Sequence, residues 1–448
     1  MTADHTGTRR PNVILIVADD LGYGDLAVYG SSVNRTTRID QLAATGSFLT
    51  EFYMTSPVCS PSRAAIMTGG YPQRVGLGRG ESHHVLFPGD AIGLHPAEHS
   101  LPRAFLTGGY RTGMVGKWHL GDQPEFLPTR HGFEEYLGLP YSNDMQPSDP
   151  RPHLTFPKLP LIEGDEVVET DPAQATLTDR YTDWALAFIK RHRRHPFFLY
   201  FAHMYVHTPI HTPQEYLDQS RNGAYGAAVE HLDHSVGQVV DLLEELELRR
   251  DTIVVVTSDN GSTGDGGASN APLRGRKFET WEGGVRVPCI VSWPTKTRRS
   301  RVDGITTAMD FLPTFTSICS LPGPRQEIDG RDLTPLLFDS QDESSPHEVF
   351  YYFNADSLEA VRWHKWKLHI TSGELFDLDA DVGETRDLSD AYPEVMERIA
   401  ELAEHARAAL GDQSTGRAGS ECRVPGRVKD PVTLTGFVDA ETIDAMYD

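Results

Sequence analysis

Short apolar runs bounded by polar residues recur along the first three quarters of the chain. The segments 12–18, 196–202, 252–257 and 287–293 carry apolar side chains at successive positions, and this predicts parallel strands buried on both faces. A shorter run at 111–115 predicts another strand. Helical periods lie between them. The longest covers 225–246, where Val229, Leu232, Val236, Val239, Leu243 and Leu246 fall on one stripe. Segments 38–44, 101–107 and 309–320 predict shorter helices. Strands alternating with helices imply an α/β fold, with a mostly parallel central sheet flanked by helices.

The pattern changes in the last quarter. The polar stretch 339–347 reads as a boundary, after which 349–353 and 359–370 predict short antiparallel strands and 393–410 an amphipathic helix. We therefore expect a larger domain over 1–338 and a small α+β subdomain over 339–448, with a tail after Gly411 that packs loosely.

Charge narrows the class. The 448 residues carry 41 Lys and Arg against 64 Asp and Glu, a formal net charge of −23, which argues against a nucleic-acid partner. Arg191, Arg193 and Arg194 read as a solvated helix end. No apolar stretch approaches the roughly 20 residues that span a bilayer, so no membrane association is expected. A polar start running straight into the first strand leaves no room for a secretory signal. Four cysteines, at 59, 289, 319 and 422, form no Cys-x-x-Cys pair, and a reducing, cytoplasmic setting is the expectation. Oligomeric state is not legible.

Candidate chemistry gathers where strands end, the usual place for sites in open α/β sheets. The first strand runs into Asp19 and Asp20, and 252–257 runs into Asp259 and Asn260. Adjacent carboxylates in a partly buried place need a cation or a proton. Together these residues make an all-oxygen set suited to Ca²⁺ or Mg²⁺, whereas either pair alone reads as an Asx-type turn. After 111–115 come Lys117 and His119, two apart, so that a cation and a proton carrier face one way from an extended segment. Arg274, Arg276 and Lys277 make a cationic loop. Ser60 and Pro61 after Cys59 suit a helix start, placing Cys59 at the positive end of a helix. His83, His84, His95 and His99 read as loop histidines. The Pro-rich segment 146–160 is either a lid or a surface connection. No His-Glu-x-x-His, Walker, Gly-x-Ser-x-Gly or Rossmann motif is present.

The run Cys59, Ser60, Pro61, Ser62, Arg63, continuing through Ala64, Ala65, Ile66, Met67 and Thr68 to Gly69, resembles the signature of the sulfatase family. The companion motifs follow in that family's order from Pro11 to about Leu337, with a likeness to its arylsulfatase A branch at 19–30, 128–144 and 273–294. The resemblance implies an alkaline-phosphatase-like fold. It implies hydrolysis of a sulfate monoester, aryl or carbohydrate, by the hydrate of formylglycine, which a formylglycine-generating maturation enzyme makes from Cys59. Metal ligation falls to Asp19, Asp20, Asp259 and Asn260 with the oxidised Cys59, and calcium is favoured over magnesium. Arg63 would hold the hydrate, while Lys117, His119, Ser142, His207 and Lys277 match positions that touch sulfate or move protons. In that scheme His207 or Lys277 protonates the departing alcohol, and His119 takes the proton that collapses the hydrate. His203 and His211 rival His207 for its place. Gly70 departs from the Arg common after Thr-Gly, which puts a supporting salt bridge in doubt. Phosphonate monoester and phosphodiester hydrolases share this fold and a similar signature, and they form the alternative reading; a non-catalytic binding protein of the same fold is a third.

Overall fold

The computed structural model describes residues 10–148, 154–298, 301–339 and 344–437; the start of the chain and parts of the 146–160 and 339–347 stretches lie outside these. The strand Asn12–Ala18 is buried along its whole length and forms the middle of the main sheet. It pairs in parallel with Phe197–Ala202 on one side and Thr252–Ser258 on the other. Beyond Phe197–Ala202 lie Arg111–Gly116 and Glu135–Gly138, also parallel, and then an antiparallel extension, Pro160–Glu163 and Glu166–Thr170. On the opposite flank Arg286–Ser292 lies between Thr252–Ser258 and Ser47–Tyr53.

That strand corrects one expectation. Arg286–Ser292 is fully buried, as its apolar run implies, but it pairs antiparallel with both neighbours. An apolar run reports burial on two faces and carries no information on strand direction.

Two apolar clusters fill the two sides of the sheet. Val13, Leu15 and Val17 point into one, and Ile14 and Ile16 into the other, as the two-residue alternation of a strand requires. Helices Gly223–Glu245 and Leu177–His192 cover the second side, and Cys59–Thr68 and Phe311–Ile318 contribute to the first.

The C-terminal part is a four-stranded antiparallel sheet, Val349–Asn354, Ser357–Trp363, Trp366–His369 and Glu374–Asp377, with helix Pro393–Leu410 packed against it. Over its described residues, 411–437, the tail is not loose. Gly411–Asp412 pairs with Arg417–Ala418, and Gly426–Arg427 pairs with Ile92–Gly93 of the larger part. Arg423 forms a double ion pair with Glu98 at 2.8 and 3.0 Å. Backbone pairing and charge hold this segment, together with Leu434 packed against the first core cluster. Among the described residues, no helix is long and apolar enough to cross a membrane.

Candidate active site

The carboxyl ends of Asn12–Ala18 and Thr252–Ser258 lie side by side, so Asp19, Asp20, Asp259 and Asn260 converge. Asp259 N–H donates to the Ala18 carbonyl at 3.0 Å, and Asp20 N–H donates to Asp259 Oδ1 at 3.2 Å. Helix Cys59–Thr68 aims its N-terminus at this point, with Val58 extended before it and Gly69 closing it in the left-handed region. Cys59 Sγ lies 3.4 Å from Asp19 Oδ1 and 3.6 Å from Lys277 Nζ.

Three cations face the three carboxylates. Lys117 Nζ donates to Asp19 Oδ2 at 2.5 Å, and Lys277 Nζ donates to Asp20 at 2.8 Å. Arg63 contacts Asp259 Oδ2 through Nε at 2.9 Å and a terminal nitrogen at 2.8 Å. Burial opposes ionisation of Asp19, but Lys117, His207, Arg63 and Lys277 outweigh it and hold its carboxyl far below the usual range. At Asp259 burial wins, with the Asp19 charge adding to it, and its pKa is raised despite Arg63. Burial and the Asp19 carboxylate likewise push the Cys59 thiol up.

Local backbone geometry delivers these groups. Gly116 has φ 104°, and a Cβ there would stand 1.8 Å from the Ala202 carbonyl oxygen, so only glycine lets the chain leave its strand into Lys117. His119 has φ 63°. The segment therefore turns instead of extending, and Lys117 and His119 reach the site by that turn, not by strand alternation. Asp20 is also left-handed, at φ 65°. Non-glycine residues in this region concentrate at functional sites.

His119 and His207 have defined partners. His119 Nε2 pairs with the Leu86 carbonyl at 2.9 Å, so Nε2 carries the hydrogen; Nδ1 is buried without a hydrogen-bond partner. Burial, then Lys117 and Arg63, keep this ring neutral, its pKa well below the ordinary histidine value. His207 directs Nδ1 at the Thr208 carbonyl and Nε2 at Ser142 Oγ, 3.4 Å away, with Asp20 Oδ2 at 3.7 Å. Ser142 Oγ also accepts from Lys117 Nζ at 3.3 Å. Of the rivals, His203 is buried against Phe201 and Ser235, and only His207 lines the cavity over Cys59. That cavity, about 180 Å³, is also lined by His83, His84, Val85, Phe87, His119, Ser142, Met145, Lys277 and Phe278. Larger clefts elsewhere, about 620 and 690 Å³, are lined by Glu51 and Asp303 and contain none of these groups.

Sequence reading missed Phe278, and it set aside His83 and His84, which do occupy a loop but form part of the wall. Of the cationic loop, Lys277 alone enters the site. Arg274 stacks on Trp281 at 3.5 Å and donates to the Glu384 carbonyl, and Arg276 is exposed. Beside Gly70, Arg74 grips Asp329 at 2.7 and 2.8 Å, and Asp329 Oδ2 lies 3.2 Å from where a Cβ on Gly70 would stand.

The oxygen donors suit a hard divalent cation. Ligand atoms of Asp19, Asp20, Cys59 and His207 lie within 4.8 Å of one another. Asn260 Oδ1 is buried and has no hydrogen-bond partner, while its Nδ2 donates to Asp20 Oδ1 at 2.6 Å. A buried amide oxygen left unpaired is costly, and a cation beside it would remove that cost.

Such a cluster, at the strand ends of a mostly parallel sheet and opposite fixed cations, defines a hydrolase centre for an anionic ester. Comparison with known proteins narrows the class. Residues 11–319 match the family model Sulfatase, and 276–409 match N-sulphoglucosamine sulphohydrolase, C-terminal. N-acetylgalactosamine-6-sulfatase of Canis lupus familiaris is 38% identical over 379 residues, 80% of this chain and 71% of the relative. Human arylsulfatase A is 35% identical over 450 residues, covering 88% and 87%. The crystal structure of Ps i-CgsB superposes with a TM-score of 0.79 at 30% identity, over 92% of this chain and 96% of that one. The chain belongs to the sulfatase family. It is an enzyme that hydrolyses sulfate esters.

Proposed function

We propose that Cys59 carries the nucleophile as formylglycine, made by a separate maturation enzyme, and that Asp19, Asp20, Asp259 and Asn260 hold a divalent cation beside it, calcium in preference to magnesium. The observation that carries this reading is the gathering of Asp19 and Asp20 with Cys59 at the N-terminus of its helix, with Asp259 and Asn260 hydrogen-bonded to Asp20 and Asn260 Oδ1 buried and unpaired. When bound, the cation supplies Lewis-acid neutralisation of developing negative charge. Formal charge supports the count. Asp19, Asp20 and Asp259 cancel Arg63, Lys117 and Lys277, so a dication leaves two positive charges for a sulfate monoester anion and an anionic nucleophile oxygen.

The chain's own residues then divide the work. Lys117, Lys277, Ser142 and His207 bind sulfate oxygens, and Arg63 holds the oxygen substituents at position 59. His207 Nε2 delivers a proton to the departing alcohol, while Lys277 Nζ, which donates to Asp20, holds sulfate. His119 accepts a proton at Nδ1, the nitrogen that has no other partner, which suits it to regenerate the aldehyde and release sulfate. Substrates are aryl or carbohydrate sulfates. A reducing compartment agrees with four free cysteines, and 338/339 is offered as the domain boundary.

The test is the peptide mass at position 59 in protein co-produced with a formylglycine-generating enzyme, alongside turnover of an aryl sulfate and an aryl phosphonate. An aldehyde and preferential sulfate release are expected, with both abolished in Cys59→Ala while the fold is kept. An intact thiol in active protein overturns the nucleophile assignment, and faster phosphonate cleavage overturns the substrate assignment.

A further inference from the structure

Phe278 follows Lys277 directly and stands at the mouth of the Cys59 cavity. Its side chain is conspicuous in two ways: the residue is 52% exposed, and its backbone is left-handed at φ 72°. A bulky residue in that region is a genuine outlier, whereas glycine adopts it freely. The conformation is held from both sides, because the Phe278 N–H donates to the Pro57 carbonyl at 3.0 Å and its own carbonyl accepts from Asn354 Nδ2 at 3.2 Å. Pro57 lies two residues before Cys59, and Asn354 ends a strand of the C-terminal sheet. The backbone is therefore clamped while the side chain stays about half exposed.

The ring has a partner wall. His84 meets it edge-on with centroids 6.2 Å apart, and Val85, Phe87 and Met145 continue the lining. His84, Val85 and Phe87 belong to the loop anchored by Leu86, whose N–H donates to Ser60 Oγ at 3.1 Å and whose carbonyl pairs with His119. The loop is thus tied to the helix that carries Cys59. Of the lining groups, Lys277, His119, His207 and Ser142 are buried, while Phe278 is exposed and Phe87 half-buried, with His83 and His84 exposed beside them, an arrangement that suits a ligand with an anionic head and a flat, weakly polar body.

We propose that Phe278, with His84 at its edge, is the specificity platform of this enzyme: the ring of the departing alcohol lies against it once the sulfate group is held below by Lys277, Ser142 and His207. The inference rests on the sulfatase assignment of that floor. The chemistry recognised is a ring with an apolar face, supplied by an aryl group or by the C–H face of a pyranose; an acyclic alkyl chain offers no such face.

Phe278→Gly tests this, because it removes the ring and relieves the backbone at once. Steady-state kinetics on the formylglycine-bearing enzyme would use an aryl sulfate, a monosaccharide sulfate and an acyclic alkyl sulfate, with inhibition by inorganic sulfate as a readout of the floor. The expected result is a KM about tenfold higher, equivalent to about 1.4 kcal/mol, for at least one ring-bearing ester. The alkyl ester's KM, kcat and sulfate inhibition stay essentially constant, the melting temperature does not fall, and Phe278→Trp restores KM. A rise for the aryl ester alone names the ligand as aromatic, and a rise for the sugar ester alone names it as a pyranose. An equal rise for all three esters, no rise for any, or a loss of melting temperature paralleled by weaker sulfate inhibition overturns the platform. If wild-type enzyme with a confirmed aldehyde at position 59 releases no sulfate from any ester, the floor assignment fails first and the platform falls with it.

Discussion

Replacing Lys367 by Met isolates a buried charge that ties the C-terminal sheet to the active-site loop. Lys367 Nζ lies 2.7 Å from Glu384 Oε1 and 3.1 Å from Glu282 Oε1, and it donates to the Thr280 carbonyl at 2.9 Å. All three charged side chains are fully buried. Met nearly conserves the volume, so the packing term is small. What is lost is the cation between two carboxylates in a dry site, and breaking such a pair costs about 3–5 kcal/mol. The lower end applies here. Glu282 keeps Arg286 at 3.4 Å and the Tyr352 hydroxyl at 2.8 Å, and Glu384, whose pKa burial already raises, can take up a proton. A loss of about 3 kcal/mol is a large share of the 5–15 kcal/mol that holds an ordinary domain folded. Urea unfolding at neutral pH would measure it. Adding Glu384→Gln should recover part of the loss, because the uncompensated charge goes too. A loss below about 1 kcal/mol, within the range of an exposed pair, would refute the view that this triad is electrostatically tight.

Asp259→Ala is expected to lower divalent-metal content, read by elemental analysis of purified protein; wild-type content would remove Asp259 from the ligand set. His119→Gln keeps a donor toward Leu86 and removes the proposed base, so turnover should fall by about 10²–10⁴ with sulfated enzyme accumulating in intact-mass spectra, and a loss without accumulation would place His119 in the first half of the reaction. For Glu282, burial opposes ionisation but Lys367, Arg286 and Arg362 outweigh it and depress its pKa to about 2. A depressed carboxyl stabilises the fold above its ordinary value of 4.5 and loses that contribution as pH falls toward 2. Glu282→Gln should therefore flatten the stability profile across this acid window, and an unchanged slope would assign acid unfolding to other groups.

The parts legible in the sequence were those where one physical demand dominates. Asn12–Ala18 is buried on both faces and reads as an unbroken apolar run, and the residues that end it and its neighbour Thr252–Ser258 form the candidate site. Ser47–Tyr53 escaped notice because Thr50 and Glu51 interrupt its apolar pattern; Glu51 is there to meet Arg362 of the C-terminal sheet, a partner more than three hundred positions away. Helix Leu177–His192 did carry a signal, with Leu177, Tyr181, Ala185, Phe188 and Ile189 on one face, but it was passed over beside the longer stripe of 225–246. The tail misled because much of its hold on the larger part is backbone pairing at Ile92–Gly93 and an ion pair to Glu98, neither of which leaves a hydropathy trace, and its apolar contact is the isolated Leu434. Phe278 could not be singled out at all, since a lone aromatic in a charged loop becomes conspicuous only through its backbone angle and the cavity beside it.

These contacts bear on how the proposed division at 338/339 should be understood. The segment that presents Lys277 and Phe278 is held from the C-terminal side at successive points: Asn354 at the Phe278 carbonyl, Lys367 at the Thr280 carbonyl, and Glu384 at the Glu282 N–H, 2.9 Å away. On the other side the same loop is fastened to Pro57 and to Ser262. A lysine that meets Asp20 and is proposed to meet an incoming anion has little tolerance for displacement, and a loop of this length without regular structure would not supply that precision alone. The small sheet is therefore part of the apparatus that positions Lys277. Variation in it should reach the substrate through the loop, altering which alcohols fit while the carboxylates on the first sheet, anchored independently, keep their places.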